Sequence, residues 1–341
     1  MRAVVYDAYG QRPRVRDIPT PSVPPDGVRV RVGATGVCRS DHHAWSGADP
    51  VALPHVPGHE FVGTVEAVGA GVRRWSGGER VTVPFVCGCG RCDWCRAGDA
   101  QVCPHQRQPG FTDHGSFADL VVVHAADANL VAVPDALDDV AAASLGCRFA
   151  TAYRAVIGHG GLAADQWLAV HGMGGVGCSA LLVARDLGAQ IIAVDVDPAA
   201  LDQARQLGAT SVLDARGLDA AEVAAAVHEV TGGAHVSLDA IGHPQVALQS
   251  VLSLRRRGRH VQAGLLLGAH AMTPLPMDRV VARELSVHGT HGLAAIDYPA
   301  MLEVACRVDL GALVARIVAL EEAPDALVDM PAGVTVVDLS R

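Results

Sequence analysis

Apolar residues in the first half of the chain come in short runs. Arg2 to Tyr6, Val28 to Val32, Gly63 to Val68, Arg80 to Val83 and Leu120 to Val123 alternate or run apolar, and clusters of Gly and Pro separate them. This spacing predicts β-strands, with Pro19, Pro21, Pro24 and Pro25 holding an extended connector between the first two. From about Thr151 the rhythm changes. Strand-like runs at Trp167 to His171, Gln190 to Asp195, Ser211 to Leu213, His235 to Ala240, His260 to Gly264 and Leu285 to Gly289 alternate with helical segments at Ala199 to Leu207, Ala220 to Val230 and Gln245 to Arg257. The pattern predicts an α/β region built on a doubly wound parallel sheet, preceded by a β-rich domain. The remainder, Leu293 to Arg341, holds a helix near Ala300 to Arg307 and strand-like ends, and is expected to pack back on the first domain.

A length of 341 residues exceeds the usual size of one core, which agrees with two domains. Half the residues are hydrophobic, and the formal net charge is −9, a poor footing for a nucleic-acid surface. The cluster Arg255, Arg256, Arg257 and Arg259 is read as the solvated end of the helix that starts at Gln245. All 27 basic residues are arginine, which excludes chemistry through a lysine Schiff base. The start, MRAVVYDAYG, has no apolar stretch behind a basic head, and no later run is long enough to span a membrane, so the expected compartment is the cytoplasm. Of nine cysteines, five fall between Cys87 and Cys103, a density that points to metal rather than disulfides.

Three motifs carry chemistry. Gly172, Gly174, Gly175, Val176 and Gly177 form a G-x-G-x-x-G turn after the strand Trp167 to His171, where glycines let the backbone approach a pyrophosphate at a helix N-terminus. Asp195 ends the next strand, 23 residues after Gly172, placed to bind both ribose hydroxyls of NAD and to repel the 2′-phosphate of NADP. Cys89, Cys92, Cys95 and Cys103 follow C-x2-C-x2-C-x7-C, a spacing that closes a tetrahedral, structural zinc site, with Cys87 offering an alternative register. Cys38-Arg39-Ser40-Asp41-His42-His43 and Gly58-His59-Glu60 place a thiolate and imidazoles, the donors of a catalytic zinc, in turns after strand-like runs. By spacing alone each of these histidines is more often structural than a ligand, and Cys147 stands equally between a core thiol and a ligand.

The segment Gly58-His59-Glu60-x2-Gly63-x5-Gly69-x2-Val72, the cysteine spacing and the glycine turn together resemble the zinc-containing alcohol dehydrogenases of the medium-chain dehydrogenase/reductase superfamily. The resemblance implies a GroES-like catalytic domain over residues 1–148 and 293–341, with a zinc lobe at about 87–104, and a Rossmann domain over 149–292. It implies two zinc ions per subunit: Cys38, His59 and Cys147 on the catalytic one, and the four lobe cysteines on the structural one. Asp41 is then expected to orient His59, while Glu60 lies behind the metal and transiently approaches it. Ser40 takes the alcohol proton and passes it through the nicotinamide ribose to His43, and Arg39 pairs with the cofactor pyrophosphate. Trp45, Phe85 and His291 are expected at the substrate pocket.

The implied reaction is reversible hydride transfer between a primary or secondary alcohol and NAD, giving aldehyde or ketone. Polyol dehydrogenases of the family usually carry an acid where Cys147 stands, so ordinary alcohols are favoured. A specialised aromatic or natural-product alcohol is the alternative, and a non-catalytic zinc and NAD sensor is a reading of a different class. Family members commonly place a basic residue where Ala199 and Ala200 stand, and an arginine in the strand that here reads Pro331-Ala332-Gly333-Val334-Thr335-Val336. Weaker cofactor binding is therefore expected. The short path from Cys103 to Leu120 favours a homotetramer over a homodimer.

Overall fold

The computed structural model describes residues Met1–Arg341, and the chain forms two compact units. One comprises Met1–Ala150, Gly292–Cys306 and Leu310–Arg341, and the other Thr151–His291 with Arg307–Asp309. Seven strands open the first unit: β1 (Arg2–Val5), β2 (Arg14–Asp17), β3 (Val28–Val37), β4 (Glu60–Val68), β5 (Arg80–Thr82), β6 (Leu120–Val123) and β7 (Val131–Ala132). β1 and β2 pair with each other, whereas β3 pairs antiparallel with both β4 and β6, and β5 joins β4 to β7. The period of two along β3 sends Val28, Val30 and Val32 to one face, where they are buried with Phe61, Val65, Val81 and Val121. Arg29, on the opposite face, pairs instead with Glu66.

The second unit is a six-stranded sheet of β8 (Trp167–His171), β9 (Gln190–Asp195), β10 (Ser211–Asp214), β11 (Ala234–Asp239), β12 (Leu254–Gln262) and β13 (Ser286–Gly289). The order is β10-β9-β8-β11-β12-β13, and every neighbouring pair is parallel. Strand order reverses between β8 and β11, and in such sheets ligands bind beyond the carboxyl ends of the strands at that point. Helices Gly175–Asp186, Pro198–Leu207, Ala220–Thr231 and Pro244–Leu252 run between strands, and Val223 and Val227 pack on Ala169, Ile192 and Val194.

One predicted helix is shorter than its sequence reading. The segment expected to be helical from Gln245 to Arg257 stops at Leu252, and Arg255, Arg256, Arg257 and Arg259 lie on β12 instead of at a helix end. Arginine is a good helix former, which makes the run look helical. The sheet overrides that preference because Leu254 is fully buried opposite Ala234, and the following residues bulge before pairing resumes at Val236 and Arg259.

The chain then returns to the first unit through helix Tyr298–Ala305, β14 (Val314–Val318) and β15 (Val334–Asp338). β15 pairs antiparallel with β3, setting Thr335 opposite Val37, and completes a seven-stranded sheet. No helix is long and apolar enough to cross a membrane.

Candidate active site and metal centres

Cys38, His59 and Cys147 are brought together by three segments of the first unit, and their ligand atoms all lie within 4.8 Å of one another. The β3–β4 ladder ends with Gly36 opposite Glu60, so Cys38 and His59 leave the sheet side by side. Gly58 makes the turn into β4 at φ +103, where an added Cβ would fall 2.7 Å from the backbone nitrogen of Phe117. Cys147 comes from a π-helical turn, Leu145–Phe149, a local departure from α-helix of the kind found at functional sites.

Asp41 organises the first two. Its Oδ2 accepts from Cys38 N at 3.1 Å, and its Oδ1 accepts from Gly58 N at 3.0 Å and lies 2.9 Å from His59 Nδ1. With Nδ1 so engaged, His59 Nε2 is the nitrogen that faces the two thiols, and it is buried without a hydrogen-bond partner. An unpartnered buried nitrogen beside two sulfurs is the donor set of a three-coordinate protein site for zinc with one position left open. A hydrogen bond from Cys147, followed by the effect of His59, draws the Cys38 thiol well below its ordinary range.

Glu60, the residue after His59, meets an arginine. Its Oε1 accepts from Arg148 N at 2.8 Å and Arg148 Nε at 3.1 Å, its Oε2 bonds Arg148 Nη2, and both side chains are buried. Burial pushes the Glu60 carboxyl up, against the pull of the Arg148 guanidinium. Both carboxylate oxygens are thus bonded by a buried arginine, the partner a desolvated carboxylate needs. Arg148 is absent from the sequence reading of the site. The signal for it is a charge inside the apolar run Leu145 to Ala152, since an arginine is rarely buried without a carboxylate to meet.

Helix Arg39–Ser46 begins at Cys38 and carries Arg39, exposed at its first position, with Ser40 and His43 one turn apart on one face. His43 Nδ1 is buried and unpartnered, and burial, then Arg39 and His42, hold its pKa below the usual histidine value. Phe85 packs with Val86, Cys38 and Cys147, and its ring centre is 6.0 Å from that of His59. Phe111 reaches the same imidazole at 5.0 Å and also escaped the sequence reading, since nothing in its loop marks it.

Trp45 is not with them. Three residues after His42, its ring lies 5.1 Å from that imidazole, tilted by 50°, packs against the cluster of Val4, Val37, Phe117 and Leu327, and donates its indole N–H to Gln11 O at 2.6 Å. Trp45 is half-buried there, at the edge of that cluster. His291 is exposed, at the last residue before the chain leaves the second unit.

The lobe cysteines Cys89, Cys92, Cys95 and Cys103 form a second cluster, again with all sulfurs within 4.8 Å of one another. Sulfur separations are 3.5 Å for Cys92 and Cys95, 3.7 Å for Cys92 and Cys103, and 4.0 Å for Cys89 and Cys95. A zinc–sulfur distance of about 2.3 Å gives a tetrahedral edge of about 3.8 Å, which these separations match. Backbone N–H groups of Cys89 and His105 donate to Cys103 Sγ, and hydrogen bonds of this kind support a thiolate. Cys87 lies outside the cluster, donating to Pro84 O, with burial pushing its thiol up to about 12. That excludes the register through Cys87.

In the second unit the glycine turn follows β8. Gly177 would place a Cβ 1.9 Å from Gly172 O, so only glycine fits, whereas a Cβ on Gly174 would meet nothing within 4 Å. Helix Gly175–Asp186 starts there with no side-chain cap, leaving the N–H groups of Gly175, Val176 and Gly177 for an anion. Asp195, at the end of β9, accepts from Met173 N at 2.6 Å and also from Val196 N and Asp197 N. The acid is thereby fixed against the turn, and the open cradle fits a dinucleotide.

Residues 24–135 match the family model described as alcohol dehydrogenase GroES-like domain, and residues 175–306 match that described as zinc-binding dehydrogenase. The chain is 32% identical over 294 residues to an alcohol dehydrogenase of Geobacillus stearothermophilus, covering 85% of this chain and 84% of that one. The solved alcohol dehydrogenase TADH from Thermus sp. ATN1 superposes with a TM-score of 0.91 at 30% identity, over 99% of each chain. A cobalt- and zinc-bound thermostable alcohol dehydrogenase from Pyrobaculum aerophilum gives 0.85 at 28% identity, again over 99% of each.

Proposed function

The chain belongs to the zinc-containing alcohol dehydrogenase family of the medium-chain dehydrogenase/reductase superfamily, and from that premise we propose that it oxidises a primary or secondary alcohol with NAD, reversibly, to an aldehyde or ketone. The observation that carries this reading is the convergence of Cys38 Sγ, Cys147 Sγ and the unpartnered His59 Nε2 within 4.8 Å.

Bound in that set, zinc supplies Lewis acidity that lowers an alcohol hydroxyl's pKa from about 16 toward roughly 7, while a bound nicotinamide supplies the hydride acceptor. The remaining work falls to the protein. Asp41 fixes the His59 tautomer through Nδ1. Ser40 takes the alcohol proton and His43, neutral near pH 7 because its pKa is lowered, receives it through the cofactor ribose. Phe85 keeps the surroundings of Cys38 and Cys147 apolar, which suits a simple alcohol and resists water. Asp195 and the Gly172–Gly177 turn hold the adenosine end, and the carboxylate supports NAD over NADP. Arg39 pairs with the pyrophosphate.

The same reading assigns two zinc ions per chain, the second closing the lobe through Cys89, Cys92, Cys95 and Cys103. The sequence path from Cys103 to Leu120 supports a homotetramer, and the free state of all nine cysteines is in keeping with the cytoplasm. The test is a screen of NAD reduction over primary, secondary, benzylic and polyol alcohols, repeated with Ser40→Ala. Turnover on simple alcohols that collapses in the variant while zinc content stays constant is expected. A fully active Ser40→Ala protein, or activity confined to polyols, would refute the assignment.

A further inference from the structure

Arg148 touches the neighbour of every residue in the proposed catalytic metal site. It directly follows Cys147 in the chain. Its guanidinium and backbone N–H hold both oxygens of Glu60, the residue after His59, and its Nη2 also donates to the carbonyl of Val37, the residue before Cys38, at 2.9 Å. Three segments far apart in sequence, the end of β3, the start of β4 and the turn Leu145–Phe149, are thus joined by one side chain that is 4% exposed. The fit is tight. A Cβ on Gly36 would lie 2.7 Å from Glu60 Oε2 and 3.1 Å from Arg148 Nη2.

We infer that Arg148 is a positioning residue with two tasks: it keeps the Glu60 carboxylate off the metal, so that the fourth coordination position stays open to substrate, and it ties the three ligand-bearing segments together. The inference rests on the reading of Cys38, His59 and Cys147 as metal ligands.

Charge and valence decide which partner Glu60 takes. Glu60 is fully buried, and a buried carboxylate needs a cation or several donors. Only two kinds of partner are at hand, the guanidinium and a metal held by the adjacent His59. As long as Arg148 offers a planar fork that takes both oxygens, the guanidinium wins. Without it the carboxylate would turn to the metal and fill the open position. A lysine, a point charge without the fork, could not hold Glu60 and Val37 at the same time.

The test compares wild type, Arg148→Met and the double variant Arg148→Met with Glu60→Gln. Metal content and the rate of metal release to a chelator are measured. On protein carrying cobalt at this site, the visible spectrum is followed as imidazole is added to compete for the open position. In Arg148→Met, imidazole should bind at least about tenfold more weakly, because Glu60 occupies the site. In the double variant imidazole affinity should return, while the metal of this site is released about 10- to 100-fold faster than in wild type, the usual scale for losing an outer-shell partner. Unchanged imidazole affinity in Arg148→Met, or unchanged release from the double variant, would overturn the inference. Should the single variant fail to fold, release from the double variant, which buries no lone charge, decides alone. Cys147→Ser serves as the control: if it still binds as much metal as wild type, the ligand reading fails rather than the role of Arg148.

Discussion

Asp41 and His59 meet with no exposure to solvent, Oδ1 to Nδ1 at 2.9 Å, and the same carboxylate also takes the backbone N–H groups of Cys38 and Gly58. One acid therefore caps helix Arg39–Ser46, closes the turn into β4 and sets the direction of an imidazole. Asp41→Ala strands three buried donors, each worth about 1–3 kcal/mol. The expected result is a fall in thermal stability together with a loss of about 10- to 100-fold in affinity for one of the two metals, read by unfolding and metal titration.

The lobe site should behave independently of the catalytic chemistry. Cys92→Ser is expected to lose one metal per chain and to lower the unfolding temperature, because four cysteines on short turns have little else to hold them together. Elemental analysis checks it, and an unchanged metal content would count against the four-cysteine reading.

Asp195 accepts three backbone N–H bonds and sits beside the glycine turn. Replacing it with Ser removes charge-assisted bonds to ribose hydroxyls and the repulsion of a 2′-phosphate. The ratio of kcat/KM with NAD to that with NADP should drop about 10- to 100-fold, as expected for bonds to a charged group worth about 1.5–3 kcal/mol. A wild-type preference for NADP would refute the role.

Burial, Arg39 and His42 keep His43 below the ordinary histidine pKa of 6.5. The ring is therefore neutral, and able to accept a proton, at and above neutral pH, and it loses that capacity only in more acid solution. The rate of alcohol oxidation should hold near neutrality and fall on the acid side of 6.5 as His43 takes up its proton. His43→Gln should lose at least about tenfold in rate and lack that acid limb, as a pH profile of kcat/KM would show.

In the second unit His171 and His260 are buried and neutral, their pKa values lowered to about 3 and about 4 chiefly by burial. Gln249 meets His171 at 3.0 Å and Ser250 meets His260 at 2.9 Å. Both folded values lie below the unfolded value of 6.5, so the unfolded chain binds more protons, and stability falls as the solution is acidified from there toward about 4. The two groups add to the slope of stability against pH only once the unfolded histidines are mostly protonated, well below 6.5, where together they approach roughly 3 kcal/mol per pH unit. Denaturant titrations between about pH 6 and 4.5 should show it, and His260→Gln should make the loss of stability on acidification shallower.

The sequence by itself determined the features whose information is local. Period-two valines in β3, the six strand-like runs of the second unit, the lobe cysteines and the glycine turn all act through neighbours within a few residues, so spacing alone exposes them. Where local preference and tertiary packing disagree, the sequence misleads. The arginines after Leu254 favour a helix, yet burial of Leu254 beside Ala234 makes them a strand.

Only the tertiary structure decided what depends on distant segments meeting. Cys147 stands 88 residues beyond His59, so spacing could not join them and only the family resemblance implied the link, while in the fold β3, β4 and a π-helical turn bring their ligand atoms within 4.8 Å. The pairing of Glu60 with Arg148 has the same origin. A desolvated charge cannot remain without a partner, but which partner it finds depends on which backbones the fold brings within hydrogen-bonding distance.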